Sequence, residues 1–466
     1  MSELLQLSAR ALAKAICNKM VSSHEATAAA IERLRAAHSL TNCMLTLEAE
    51  EALAAAKGTD TALARGARLG PLAGVPLAHK DMFDRKGKIA SWGAKIRADG
   101  PAAEDATAIA RLKAAGALRI GALHLAEFAY GPTGHNYVLG HARNPWDPAR
   151  ITGGSSAGTA AAVATGAIPA GLGSDTGGSL RLPAACCGIA AIKPTWGRVS
   201  RAGAMPLAPS LDTIGVLARH VEDLALMLGL LAGPDRRDPA AFTLPVADYL
   251  ARLDDPIDGI RIGVDEALLG QTHGQVQRML ERVLALFKGL GLKSAACRFG
   301  NWQTLDHLVQ LVQFPEASAV HSALLRSRPD DYGAQVRARV ESGHFIPAVD
   351  YLTAVRARGS LLERTLSETF QDIDVALLPI LADPLPTLAE LDVSGGPNVA
   401  SAMGRVVKFT RPVNYLGLTA LALPMPRDGG LPNGFQLIGR PFAEAQLLAI
   451  GRAYQALVPP EIARPL

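Results

Sequence analysis

The chain has 466 residues, of which 49% are apolar and 19% are charged, and its formal net charge is +4. These values are ordinary for a globular protein with a large core, and the scarcity of aromatic residues (5%) indicates that the core is aliphatic. Lysine and arginine are interspersed with acids and form no basic block or arm. The small positive charge therefore says little about partners, and we expect no nucleic-acid partner.

The start of the chain and its cysteines predict a soluble cytoplasmic protein. The first residues lack the basic, apolar and small-residue segments of a signal peptide, and no stretch reaches the roughly 18 apolar residues of a membrane span. The five cysteines form no CxxC pair and no zinc spacing, so we expect neither a disulfide framework nor a metal site. The neighbours Cys186 and Cys187 lie in an apolar run and are expected to be buried thiols.

The first part of the chain alternates helix and strand signals. Ser22 and Glu25 have the spacing of a capping box and predict the start of a helix that continues through Leu34. An apolar run over 72–77, bounded by proline and glycine, predicts a strand end that leads into Lys80. The next predicted elements are a helix over 106–115, a strand over 118–123, a helix over 159–165 and a strand over 168–172.

The rest of the chain continues this α/β alternation. The predicted elements are a strand near 259–264, a helix over 274–287, a mostly helical region over about 300–375, a strand over 375–379, and strands with tight turns over 416–439. No repeat, linker or change in composition marks a boundary. We therefore expect one large α/β domain over 1–466.

The helical region over about 300–375 carries most of the remaining arginines, namely Arg326, Arg328, Arg337, Arg339, Arg356 and Arg358. A clamp for a substrate carboxylate is one interpretation of this set. Acids are interspersed with the arginines, at Asp330, Asp331 and Glu341. A solvated helix face is therefore the favoured interpretation.

Two serine-bearing glycine turns stand close together in the sequence, one over 153–156 and the other over 177–179. Glycine lets the backbone bend sharply and come close to a ligand. A serine on such a turn can be surrounded by backbone N–H groups, which stabilise a developing oxyanion. We infer one site assembled from both turns, and the alternative is a pair of loops in which small residues serve tight packing.

A serine hydroxyl becomes a good nucleophile only when a base removes its proton. Residues 154–158 match the GxSxG pattern of a nucleophile elbow with Ser156 at its centre, which would require a histidine. No clear strand precedes the match, and the downstream histidines share no signature. Lys80 is the other available base, because burial lowers the pKa of a lysine by several units. A water-exposed Lys80 paired with Asp81 is the alternative.

Lys80, Ser155 and Ser179 occur together in a pattern that resembles the amidase signature family. The matching stretches are GPLAGVPLAHKD over 70–81, GGSSAG over 153–158, DTGGSLRLPA over 175–184, KPT over 193–195 and GRVS over 197–200, with further matches at 127–131, 143–145, 409–414 and 430–439. The resemblance spans roughly residues 5–455. It implies a single domain with a mixed β-sheet core flanked by helices, and a helical region at about 300–375 that varies within the family.

The resemblance also implies an activity and its residues. The activity is hydrolysis of a carboxylic amide C–N bond through an acyl-enzyme, with release of ammonia or an amine and without a metal or cofactor. Ser179 is then the nucleophile and Lys80 the base. Ser155, which follows a cis peptide bond in the family, relays the proton between them.

By the same resemblance, the backbone N–H groups of Thr176, Gly177, Gly178 and Ser179 form the oxyanion hole. Asp175 and Arg181 are expected to hold the turn rather than to react.

Substrate contacts are less defined by the sequence. Tyr130 and Ser156 are expected to bind substrate, and the resemblance implies that the segments over 128–137 and about 300–350 shape the acyl pocket. Candidates for stacking on an aryl or alkyl group are Tyr130, Tyr137, Trp302, Phe314 and Phe345, although core packing is the alternative for each. The identity of the small-molecule amide stays open.

The chain departs from the family pattern at His79, where an aliphatic residue is usual. Alternation along the strand predicts that His79 faces away from Lys80, in the core or at its rim. Leu182 stands where the glutaminase subunits of tRNA-dependent amidotransferases, which resemble DTGGSxRQP here, have glutamine. Their AEASSN run is also missing, and its nearest counterpart is Glu316-Ala317-Ser318-Ala319.

Leu182 and the missing AEASSN run favour a stand-alone amidase. One alternative is the glutaminase subunit of a tRNA-dependent amidotransferase, and another is a non-catalytic binding module of the same fold. No membrane association is expected, and a homodimer is common in the family.

Overall fold

The computed structural model describes residues 4–97, 100–300, 302–393 and 399–463. The few residues at either end of the expected 1–466 domain lie outside these ranges. Within them the helices are α1 (Ala9–Cys17), α2 (Ser23–Thr41), α3 (Ala49–Ala64), α4 (Thr107–Ala114), α5 (Ala157–Ala164), α6 (Arg181–Cys187), α7 (Val221–Leu231), α8 (Glu266–Leu269), α9 (Gly274–Gly289), α10 (Trp302–Ser327), α11 (Ala334–Ser342), α12 (Ala348–Arg364), α13 (Val399–Val407), α14 (Arg411–Tyr415) and α15 (Glu444–Leu457).

The strands are β1 (Met44–Leu47), β2 (Pro76–Lys80), β3 (Leu118–Leu123), β4 (Ala170–Asp175), β5 (Ala190–Lys193), β6 (Thr213–Ala218), β7 (Arg261–Val264), β8 (Lys293–Ala296), β9 (Val375–Pro379), β10 (Thr419–Pro424) and β11 (Gly434–Gly439). They form an eight-stranded sheet in the order β4-β6-β5-β10-β11-β9-β7-β8 and a three-stranded sheet in the order β1-β3-β2. Both sheets are mixed: β7 is parallel to its neighbours β8 and β9 and β2 is parallel to β3, whereas the other pairs are antiparallel. The expected mixed α/β fold is confirmed.

Several strands of the large sheet are apolar along most of their length. In β4, β5, β6, β9 and β11 every residue is buried, because helices such as α6, α7 and α15 pack against this sheet. A strand covered on both faces has no reason to alternate polar and apolar side chains. This is why the sequence pattern missed β5 and β6 and placed the start of β4 two residues too early. The helix α7 was missed because it is apolar on nearly all sides and shows no distinct apolar stripe.

Two turns come before the strand that carries Lys80, one at the start of α2 and one just before β2. The Ser22 side chain accepts from the Glu25 N–H and the Glu25 carboxylate accepts from the Ser22 N–H, so the predicted capping box starts α2. Before β2, Gly74 has φ of 71°, and a Cβ there would lie 2.6 Å from Ser23 Oγ. The apolar run over 72–75 is consequently a turn, and the strand begins only at Pro76.

The two sheets meet where β2 lies against β4. A Cβ on Gly171 would lie 2.6 Å from Ala78 O, so glycine permits this close approach. The Leu172 N–H donates to His79 Nδ1 at 3.1 Å, and burial lowers the pKa of this imidazole to about 3. His79 is therefore a neutral core residue, as alternation predicted, and it ties the two sheets together at the strand that carries Lys80.

Other expectations also have a clear outcome in the structure. Cys186 and Cys187 are fully buried, and burial raises the pKa of both thiols. Among the described helices, none is both long and apolar enough to cross a membrane.

Candidate active site

Lys80 is the last residue of β2 and is only 1% exposed. Its Nζ donates to Ser155 Oγ at 2.7 Å and to Ser174 Oγ at 2.8 Å. Burial lowers the pKa of this amine from 10.5 to about 7, although the carboxylates of Asp212 and Asp175 oppose the effect. A sizeable fraction of the molecules therefore carries the neutral amine at neutral pH. The water-exposed lysine considered from the sequence is wrong.

In the first glycine turn, neither glycine position has room for a side chain. A Cβ on Gly153 would lie 2.7 Å from the Pro183 backbone, and one on Gly154 would lie 2.4 Å from Gly131 O. The peptide bond between Gly154 and Ser155 is cis, as the resemblance implied. Ser155 is completely buried, and its hydroxyl is placed against Lys80.

The second turn carries Ser179, which is partly exposed and lines a cleft of about 810 Å³. The two turns contact each other through the backbone, where the Ser156 N–H donates to Ser179 O at 3.4 Å. The structure thus brings Lys80, Ser155 and Ser179 to one place at the junction of the two sheets. It links the first two by a hydrogen bond and presents the third to the cleft.

Ser156 does not occupy the position expected of a substrate-binding residue. It is completely buried, its Oγ donates to Ser174 O at 3.3 Å, and it is not part of the cleft wall. Among the described residues, no histidine bonds to Ser156 or Ser179. The expectation that Ser156 binds substrate is therefore corrected. The interpretation of residues 154–158 as a nucleophile elbow also fails, because no described histidine is bonded to the serine as its base.

The buried carboxylate of Asp175 organises the second turn. It accepts from the backbone N–H groups of Gly178 and Leu180 and from two nitrogens of Arg181, both at 3.0 Å. Burial alone would raise the pKa of Asp175, but Arg181 holds it at about 2. Asp175 and Arg181 therefore hold the turn, as expected.

Donors for an oxyanion are available on this turn, with one change from the expectation. In the described part of the chain, the N–H groups of Thr176, Gly177 and Ser179 donate to no protein atom. The Gly178 N–H is different, because it already donates to Asp175 Oδ1 at 2.7 Å. Its φ of 131° and the 2.5 Å between a Cβ there and Thr410 Oγ1 explain why glycine stands at this position. Gly178 shapes the turn and does not offer a free donor.

Several supporting residues were not singled out from the sequence. Asp212 accepts from Thr176 Oγ1 at 2.5 Å, and Asn414 donates to the carbonyl and carboxylate oxygens of Asp175. Thr410 donates to Gly177 O at 2.6 Å. Thr410 and Asn414 lie in the C-terminal match to the family pattern, which was their only signal, and Asp212 had none.

The cleft wall combines Tyr130 with two arginines. Arg339 donates to Tyr130 O at 2.9 Å and lies over the Tyr130 ring, 5.8 Å from its centroid, while Arg411 lies 3.5 Å from Asp306. The Tyr130 hydroxyl is buried and, within the described residues, has no hydrogen-bond partner. Phe314 also lines the cleft.

The other stacking candidates lie elsewhere. Trp302 packs against Phe299, and Tyr137 and Phe345 are exposed on the surface rather than in the cleft wall. Of the six arginines, Arg326, Arg328 and Arg337 follow the predicted solvated face, and the last two pair with Asp331, Asp330 and Glu341. Arg339 and Arg358 do not: Arg339 projects from the same helix as Arg337 into the cleft, and Arg358 donates to Ser210 O at 2.7 Å.

Residues 25–448 match the protein family described as Amidase. The chain belongs to this family. Family membership makes it an amidohydrolase, an enzyme that cleaves amide C–N bonds, and it agrees with the amidase signature motifs identified in the sequence.

Three relatives are similar to this chain over nearly its whole length. The glutamyl-tRNA(Gln) amidotransferase A subunit of Moorella thermoacetica is 37% identical, with 97% of each chain covered. A solved structure described as an unexpected vestigial protein complex that reveals the evolutionary origins of an s-triazine catabolic enzyme is 33% identical, with a TM-score of 0.90, and covers 98% of this chain and 100% of the other. A crystal structure of an amidase is 31% identical, with a TM-score of 0.86, and covers 97% of this chain and 100% of the other.

These relatives do not support the choice of a stand-alone amidase over a component of an amidotransferase. The first of them is named as such a component, over nearly the whole length of both chains. Because that name includes a tRNA, the expectation of no nucleic-acid partner stays a prediction.

Proposed function

We propose that this amidase hydrolyses a carboxamide through an acyl-enzyme on Ser179. The observation that carries the proposal is the buried Lys80, whose nitrogen lies 2.7 Å from Ser155 Oγ and whose pKa of about 7 leaves an amine able to accept a proton. Ser155 passes that proton on from Ser179 in this proposal, and the backbone contact between the two serine turns supports this role.

The reaction then runs in two halves. Ser179 Oγ attacks the carbonyl carbon as its proton moves to Ser155 Oγ and the Ser155 proton moves to Lys80 Nζ. The N–H groups of Thr176, Gly177 and Ser179 stabilise the oxyanion, each contributing roughly 3–4 kcal/mol by the usual cost of losing such a donor. The C–N bond breaks as the proton returns through Ser155 to the leaving nitrogen. Water hydrolyses the ester by the same relay.

The charges of the cleft favour an amide whose acyl part carries an anionic group. Arg339 and Arg411 contribute two positive charges to the wall, and Asp306 contributes one negative charge. Arginine is the side chain best suited to a planar carboxylate, which it binds through two parallel hydrogen bonds.

Arg339→Leu tests this substrate class, with Arg337→Leu, two residues earlier on the exposed face of α11, as the matched control. Loss of a charge-assisted hydrogen bond should raise the KM for carboxylate-bearing amides about 10–100-fold. The KM for neutral amides should not change. A neutral amide affected as strongly as an acidic one would contradict the anionic substrate class while leaving the acyl-enzyme proposal intact.

A second candidate is the glutamine-hydrolysing component of a tRNA-dependent amidotransferase, which the relative from Moorella thermoacetica favours. Glutamine carries both a carboxamide and a carboxylate, so the cleft suits it. Leu182 favours the stand-alone enzyme, since it lines the cleft where the amidotransferase pattern has glutamine.

Glutamine turnover by the isolated chain separates the two candidates. A stand-alone amidase should turn over its amide at full rate without any partner. An amidotransferase component should hydrolyse glutamine well only with its partner proteins and tRNA, and a non-catalytic module should turn over no amide and resist serine-directed probes.

A further inference from the structure

Two histidines and one carboxylate outside the serine site lie close enough together to share a cation. One ring nitrogen of His135, one of His141 and a carboxylate oxygen of Asp392 are all within 4.8 Å of one another. His135 is buried and the other two are partly buried. None of the three takes part in the proposed amide hydrolysis.

We propose that His135, His141 and Asp392 bind a divalent transition-metal ion of the zinc class. Imidazole and carboxylate are ligands that Zn²⁺ prefers, at about 2.0–2.2 Å, so ligand atoms of one tetrahedral site stand about 3.4 Å apart. Movements on the order of an ångström bring the three groups to that spacing, and waters complete the coordination.

The surroundings of both rings supply the groups that orient metal-binding histidines. Thr133 Oγ1 lies 2.8 Å from His135 Nδ1, and Asn136 O lies 3.1 Å from His141 Nδ1. Each oxygen can accept an N–H, which directs the Nε2 of that ring to a metal.

Both imidazoles already make hydrogen bonds that compete with metal binding. Leu388 O lies 3.1 Å from His135 Nε2, and the Asn136 N–H can donate to His141 Nδ1 at 3.1 Å. In the metal-free protein the Nε2–H of His135 donates to Leu388. Metal binding exchanges that hydrogen bond for a metal–nitrogen bond and moves the proton to Nδ1, where the Thr133 hydroxyl turns to accept it.

The position of the ion connects it to the cleft. His135 and His141 lie on the loop whose Gly131 and Pro132 line the cleft, and Asp392 precedes Val393, which also lines the cleft wall. The ion thus joins two chain segments that are distant in sequence at the rim of the cleft.

The test measures Zn²⁺ binding to the tag-free, chelator-treated full chain, in competition with a chromophoric chelator. Wild type should bind one equivalent, and His141→Ala and Asp392→Asn should each bind at least about tenfold more weakly, since even a group that merely orients a ligand changes metal affinity 10–100-fold. His344→Ala, which removes an exposed histidine outside the cluster, should bind as wild type does.

Asp392→Asn keeps the side-chain shape and leaves the histidine loop intact, so its result does not depend on refolding of that loop. Replacement by Co²⁺ adds a spectroscopic readout, because histidine–carboxylate coordination produces visible absorption that both cluster variants should lose. Equal Zn²⁺ affinity in wild type and both variants, or a Co²⁺ spectrum unchanged by either substitution, would overturn the proposal.

Discussion

Lys80 Nζ lies 2.7 Å from Ser155 Oγ in a setting where the lysine is 1% exposed and the serine is completely buried. The hydrogen bond joins residues 75 positions apart in the chain. Burial disfavours the ammonium form of this lysine, and the serine hydroxyl provides a path for the proton that the neutral amine accepts.

Replacing Lys80 by methionine should abolish most of the reactivity of Ser179. Loss of a general base slows such a step by about 10²–10⁴-fold, and the rate of fluorophosphonate labelling measures it. Lys193→Met is the matched control. Lys193 is also fully buried with a pKa lowered to about 7 by burial, but it donates to Pro194 O instead of a serine. Equal labelling of wild type and Lys80→Met would remove Lys80 from the mechanism.

The pKa of Lys80 also determines how the labelling rate depends on pH. Its pKa is lowered to about 7, and only the neutral amine can accept a proton. The labelling rate should therefore rise with pH through about 7 and reach a plateau above it. A rate that does not change across this range, or that falls as pH rises, is the outcome that contradicts the assignment.

The serines should differ in their response to alanine substitution. Ser179→Ala should eliminate the covalent adduct, and Ser155→Ala should slow its formation by about 10²–10⁴-fold because the proton relay is broken. Ser156→Ala is the neighbouring control and should retain most of the labelling, since its hydroxyl donates to Ser174 O rather than to the relay. Peptide mass spectrometry identifies the modified serine. An adduct on Ser156 in the wild type would restore the nucleophile elbow.

Arg181→Met should destabilise the fold. Both Arg181 and Asp175 are completely buried, and removing one partner of a buried pair costs about 3–5 kcal/mol of unfolding free energy. Denaturant unfolding measures the change. Arg337→Met removes a partly exposed surface arginine and should leave the free energy of unfolding nearly unchanged. A loss below about 1 kcal/mol, the value typical of a surface pair, would contradict this account.

The same pair makes stability depend on pH. The folded-state pKa of Asp175, about 2, lies below its ordinary value of 3.8. The ionised carboxylate therefore stabilises the native state above pH 3.8, and this contribution is lost as the pH falls toward 2. Unfolding measured between these two values should show the loss in wild type, and Asp175→Asn should lack this component.

The sequence by itself determined the short-range features of this protein. The two glycine turns, the capping box at Ser22 and Glu25, and the lysine at the end of an apolar strand each depend on a few neighbouring residues. Their backbone and side-chain requirements are therefore readable locally. Together with the order of helices and strands, they were enough to predict the family, the α/β fold and the residues proposed for catalysis.

Only the tertiary structure decided how those features work together. Burial of Lys80 depends on packing β2 against β4, and its second hydrogen bond reaches Ser174, 94 residues away. Arg339 and Arg337 are two positions apart on one helix. Only the packing of α11 beside the cleft places Arg339 in the wall and leaves Arg337 to pair with acids at the surface. The turn geometry directs the Gly178 N–H to the Asp175 carboxylate, so this N–H is not a free donor for an oxyanion. Desolvation and hydrogen-bond competition depend on every group that surrounds a residue, and these groups come from distant parts of the chain.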